Sequence, residues 1–143
     1  LAAELVGKMR DERQPLSAIA LNAETSSLTA LGNDYGFHQV FARQVRAHGR
    51  PGDVLLLLST SGRSPNLLAA AQVAHEVGMT TWSFTGQTPN PLAANSYDAL
   101  AAPTDDSQTA QELHLIAVHL LCSYVDAHLH QHGLIRADTE GAL

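Results

Sequence analysis

Asp53-Val54-Leu55-Leu56-Leu57-Leu58, followed at once by Ser59-Thr60-Ser61-Gly62-Arg63-Ser64-Pro65, is the stretch that decides the fold. A short apolar run that stops at a polar, glycine-containing turn predicts a strand buried on both faces. Beyond the turn, residues 67–75 have helical composition and end near Gly78, a suitable cap. Further strands are expected at residues 80–84, closed by Thr85-Gly86, at residues 16–21, and more weakly at residues 97–100. Between them, residues 37–48 place Phe37, Val40, Phe41 and Val45 on one helical face. The longest helix is expected over residues 108–130, with Leu113, Ile116, Ala117, Leu120, Leu121 and Val125 as its apolar stripe. Strands alternating with helices predict an α/β fold, a three-layer sandwich around a central parallel sheet.

The 143 residues suit one domain with a sizeable core. With 8 Lys+Arg against 14 Asp+Glu, the formal charge of −6 argues against a nucleic-acid or membrane-surface protein, both of which need a basic face. One cysteine, Cys122, permits no internal disulfide and no cysteine-based zinc module. No apolar run is long enough to span a bilayer and no secretion signal is visible, so a cytoplasmic location is expected. The first residue is Leu1, so further residues are expected upstream. The residues from Gly133 to the end are read as a frayed tail.

In open α/β sheets, ligands sit beyond the carboxyl ends of strands, where helix N-termini converge. The turn at residues 59–65 lies at such an end, with Ser64 as N-cap and Pro65 at the first helical position. Its hydroxyls and backbone N–H groups make an anion cradle, to which Arg63 adds charge. It lacks the endings of nucleotide P-loops and dinucleotide fingerprints, so a phosphate on another molecule fits better. An ordinary strand-to-helix turn is the competing reading.

A second polar concentration opens the last helix, from Thr104 through Gln111, Glu112 and His114 to His119. Thr109 and Glu112 have capping-box spacing. Gln111 and His119 are about 12 Å apart in rise, so they reach one pocket only from its two ends. One core and one exposed histidine is the plainer alternative. Near the start, residues 2–8 resemble the end of a helix, in which Glu4 is either a surface carboxylate or an expensive buried one. Residues 32–36 read as a turn that Asp34 sets, and His128, His130 and His132 as a histidine-rich tract near the C-terminus, for which a frayed end is preferred over a metal site.

Together these segments resemble the sugar isomerase (SIS) domain family, and within it the phosphoheptose isomerase branch. The resemblance rests on Leu1-Ala2-Ala3-Glu4-Leu5, on Leu28 to Gly36, and on Phe41-Ala42-Arg43-Gln44-Val45. Gly49-Arg50-Pro51-Gly52-Asp53-Val54, Ser59-Thr60-Ser61-Gly62 and Gln111-Glu112-Leu113-His114 complete it, in order. It implies a flavodoxin-like SIS domain over residues 1–132, lacking the family's N-terminal helix, first strand and Gly-rich loop, with a tail at residues 133–143.

The resemblance also implies interconversion of sedoheptulose 7-phosphate and a mannoheptose 7-phosphate, supplying nucleotide-heptose synthesis, by a homotetramer with shared active sites. Carried over by position, Ser59, Thr60, Ser61 and Ser64 hold the phosphate, and Asp34 contacts sugar hydroxyls. Glu4 and His119 match the catalytic carboxylate and histidine, with Gln111 beside them. Some relatives bind zinc through this glutamate, glutamine and histidine together with a further histidine, expected just upstream of Leu1. Lys8 and Thr109 stand where arginine is usual or common, and Arg63 where asparagine is frequent, departures that leave another sugar phosphate as an alternative substrate. The alternative function is that of a non-catalytic SIS tetramer binding the chromosome replication initiator.

Overall fold

The computed structural model describes residues 1–134, so the expected tail lies outside the described residues beyond Leu134. Two compact units are present: Leu21–His114, and Leu1–Ala20 together with the chain from Leu115 onward. Among the described residues no helix is long and apolar enough to cross a membrane.

The larger unit is the α/β body. Strands β1 (Val54–Ser59), β2 (Thr80–Thr85) and β3 (Asp98–Ala101) form a parallel sheet in the order β1-β2-β3. The register pairs Leu56 with Trp82 and Trp82 with Asp98. Ahead of the sheet run α2 (Thr25–Tyr35), a 3₁₀ turn (Phe37–Gln39) and α3 (Val40–His48). The crossovers are α4 (Pro65–Glu76) and the single turn α5 (Pro91–Ala94). The first turns of α6 (Ser107–Gln131) close this unit.

The core sits on one face of the sheet. Leu55 and Leu57 point toward Ala70, Ala71 and Ala74 of α4, Val45 of α3 and Leu92 of α5, all buried. The three alanines let α4 lie close to the strands. The other face receives the start of α6, where the His114 ring lies 6.1 Å from Phe84. The expected α/β architecture is therefore present.

Several local expectations need correction. β1 is buried on one face only, because Val54 and Leu58 on the opposite face are half exposed. Residues 16–21 form no strand: the Leu16 N–H donates to the Leu5 carbonyl instead of to a ladder partner. Residues 25–35 are helical, so Gly32 to Tyr35 belong to the last turns of α2, and Gly36 leaves it at φ 81°. Phe37 is exposed in the 3₁₀ turn, while Val40 and Val45 carry the buried face of α3. On α6, Ile116 and Leu120 are exposed, and the buried positions are Ala110, His114, Ala117, Val118 and Cys122.

Helix α2 starts at Glu24, whose carboxylate accepts the Ser26 and Ser27 N–H groups at 3.0 and 2.7 Å. These bonds, from Ser26 first and then Ser27, hold the carboxyl down at about 2. A carboxyl lowered on folding binds fewer protons in the native than in the unfolded state. Its stabilisation is therefore full above the ordinary glutamate range and is lost as pH falls toward about 2. Glu24→Gln is expected to lower thermal stability at neutral pH and to flatten its acid decline, measured as Tm against pH. An unchanged acid decline would contradict the cap.

Candidate functional site

The turn after β1 is held from several sides. Ser59 is buried, and its Oγ accepts the Gly62 N–H at 3.0 Å, folding the turn back on itself. The Ser59 carbonyl accepts the Gly86 N–H at 3.3 Å, and the Gly62 carbonyl accepts the Leu92 N–H at 3.0 Å. The turn is thus fastened to the ends of β1 and β2 and to α5.

Two glycines make this nesting feasible. A Cβ on Gly62 would lie 2.0 Å from Asn90 Oδ1, and Gly62 has φ +60°. A Cβ on Gly86 would lie 2.1 Å from the Thr60 carbonyl oxygen. Asn90, which the sequence did not single out, is the buttress. Its Nδ2 donates to Thr85 Oγ1 at 3.1 Å and its Oδ1 accepts the Ala93 N–H at 2.9 Å, capping α5.

This arrangement separates the roles of the four hydroxyl residues. Ser59 shapes the turn from inside, whereas Thr60 and Ser64 are half-buried and Ser61 is exposed. Ser64 is the N-cap of α4 with Pro65 after it, as expected, yet its hydroxyl makes no capping bond and lies 3.5 Å from Ser59 Oγ. Ser61 Oγ accepts the Arg63 N–H at 3.2 Å. The turn therefore offers hydroxyls at the carboxyl end of β1 beside a helix N-terminus, a setting that favours an anion.

In the same unit, Asp34 is exposed on the last turn of α2, where its carboxylate accepts a bond from Asn33 Nδ2 at 3.1 Å. Gln111 is exposed on α6. The cap of α6 is Asp106, which accepts the Thr109 N–H at 2.7 Å, so Glu112 does not form the expected capping box. That bond also lowers the Asp106 pKa. His114 is the core histidine: its Nε2 donates to the Thr85 carbonyl at 3.0 Å.

Glu4 and His119 belong to the other unit. Glu4 is half-buried on α1 (Ala2–Val6) and His119 is exposed on α6. The side chain organising this unit is Arg13, only 3% exposed. Its Nε donates to Asp126 at 2.7 Å, and its terminal nitrogens donate to the carbonyls of Glu4, Leu5 and Gln14 at 2.7, 2.9 and 3.1 Å. Removing one partner of such a buried pair costs about 3–5 kcal/mol. Cys122 on α6 is fully buried; burial pushes its thiol pKa up, the carboxylates of Glu4 and Asp126 add to the shift, and Arg13 opposes it. Lys8 pairs with Glu12 at the surface. His128 and His130 belong to the last turns of α6 rather than to a frayed end, and the rings of His128 and His132 lie 4.3 Å apart; among the described residues no three His, Cys, Asp or Glu side chains are grouped to hold a metal.

Gly62→Ala is expected to lower Tm by several degrees in thermal denaturation, because the new methyl meets Asn90 at a positive φ. Asn90→Ala in the same background should restore part of the loss by making room. No destabilisation by Gly62→Ala would contradict the nested turn.

A profile of the SIS domain matches residues 1–86. A phosphoheptose isomerase of Streptomyces coelicolor is 58% identical over 135 residues, covering 93% of this chain and 58% of that protein. The phosphoheptose isomerase of Rhodospirillum rubrum is 47% identical over 126 residues, covering 88% of this chain and 67% of its own. Among solved structures, a phosphoheptose isomerase from Francisella tularensis superposes with a TM-score of 0.83 at 40% identity, covering 88% of this chain and 68% of that one. The enzyme from Neisseria gonorrhoeae gives 0.81 at 43%, covering 88% and 67%. This chain thus spans between 58% and 68% of the length of these relatives. With the α/β body, the nested turn and these likenesses together, the chain belongs to the SIS domain family, in its phosphoheptose isomerase branch.

Proposed function

We propose that the protein containing this chain is a ketose–aldose isomerase that interconverts sedoheptulose 7-phosphate and D-glycero-D-manno-heptose 7-phosphate. The observation that carries this reading is the nested turn at residues 59–64, lying in a stretch shared with relatives named phosphoheptose isomerase. The exposed Ser61 and half-buried Thr60 and Ser64 are suited to the phosphate, with Ser59 holding the turn in shape. Asp34 and Gln111, both exposed, are assigned to the sugar hydroxyls.

Moving the carbonyl from C2 of the ketose to C1 requires a proton to leave C1, an enediolate to form, and a proton to reach C2. Glu4 is assigned as the base that takes the C1 proton and returns it to C2, a role suited to a positioned carboxylate. His119 is assigned to the oxygens, carrying the hydroxyl proton from O1 to O2. Binding energy from the phosphate, remote from the reacting carbons, is available to orient them.

The carboxylate of Glu4, the amide oxygen of Gln111 and the imidazole of His119 suit zinc in donor chemistry. We assign these three residues to a zinc ion, which when bound supplies Lewis-acid stabilisation of enediolate charge. A homotetramer is proposed on similar terms. Ile116, Leu120 and Tyr124, four residues apart along α6, form an exposed apolar stripe that supports coverage by another copy. The proposed compartment is the cytoplasm, because phosphorylated sugars are charged and are retained where they are made.

Proton NMR of sedoheptulose 7-phosphate incubated with the complete polypeptide, with and without zinc, is expected to show new aldose anomeric signals. Glu4→Gln should abolish them while leaving substrate binding largely intact; unchanged turnover would remove Glu4 from the base role. Ser61→Ala should weaken binding of the phosphorylated sugar more than that of the free sugar, measured by calorimetry. Equal losses for both would refute the cradle assignment.

A further inference from the structure

Resting on the assignment of Glu4 as base, we infer that the buried Arg13–Asp126 pair is a positioning device for that carboxylate. It ties the turn of α1 that carries Glu4 to the face of α6 that carries His119.

Helix α1 has five residues, too few to persist by their own hydrogen bonds. Its last carbonyls have no partners within the helix. Arg13 supplies them: one terminal nitrogen donates to the Glu4 carbonyl at 2.7 Å, and the other reaches Leu5 at 2.9 Å and Gly7 at 3.5 Å. The same guanidinium holds the Gln14 carbonyl at 3.1 Å, fixing the returning chain. The remaining edge, Nε, donates to Asp126 at 2.7 Å, so one planar group sets α1 against α6.

Asp126 is seven residues beyond His119. Seven residues return to within about 20° of the same helix face, two turns along. The anchor and the proposed proton carrier therefore share one face of α6, with buried Cys122 between them. The neighbouring charges are not anchors, since Lys8, Arg10, Asp11 and Glu12 are exposed and pair with one another. Lysine would preserve the charge of Arg13 but cannot reproduce a planar fork that contacts a carboxylate and several carbonyls at once.

Arg13→Lys in the complete polypeptide is expected to lower kcat by about 10²-fold, the scale associated with ångström misplacement of a reacting group. KM should change little, because the phosphate is assigned to residues 59–64. Asp126→Asn keeps the shape while removing the charge, and should lower kcat in the same direction; it carries the test if Arg13→Lys does not fold. Wild-type kcat in a folded Arg13→Lys or Asp126→Asn protein would overturn the inference, as would a loss that falls on KM and leaves kcat unchanged. Normal turnover by Glu4→Gln alone would overturn the base assignment, and the inference with it.

Discussion

The constraint on which the α/β body depends is the close approach of backbone around residues 59–62. A strand must end, reverse and start a helix while leaving polar groups facing outward. Here the reversal is closed by the Ser59 hydroxyl on the Gly62 N–H and seated against Gly86, Asn90 and Leu92. No side chain larger than hydrogen fits at Gly62 or Gly86 without displacing a neighbour. The result is a turn whose shape is set before any ligand arrives, and preorganisation of this kind reduces the ordering cost of binding.

The core places that turn. Leu55 and Leu57 bury against the alanine face of α4, bringing the end of β1 and the start of α4 to a common edge. Thr85 performs a related task at the end of β2. Its carbonyl accepts both the Ala102 N–H and His114 Nε2, which ties the strand end to the start of α6. Fold and site are linked through these few polar bonds at the carboxyl edge of the sheet.

Much of the body was legible in the sequence because the apolar run at residues 54–58 and its Ser/Gly turn have few alternative folds. Helix α2 was not, because its cap is a glutamate, a less familiar cap than serine or aspartate, and its end is rich in turn-forming residues. The segment at residues 16–21 has strand composition, yet composition does not reveal that Leu16 bonds to α1. The stripe expected on α6 holds at Ala117 and in part at Leu113, Leu121 and Val125, but Ile116 and Leu120 face outward, and hydropathy gives no reason to prefer the small Ala110 and Cys122, which are buried, over a leucine or isoleucine. Arg13 was invisible for another reason: its partners are backbone carbonyls and an aspartate 113 positions away. Asn90 and Gly62 likewise matter through a contact that no local pattern announces.

Proton transfer at carbon by an SIS-domain protein leaves a mark in deuterium oxide that binding alone does not. After prolonged incubation of sedoheptulose 7-phosphate with the complete polypeptide, mass spectrometry and proton NMR should find deuterium at C2 of the aldose formed. Glu4→Gln should leave the sugar unlabelled and unconverted. Undiminished conversion and labelling at C2 by a folded Glu4→Gln protein would contradict the account.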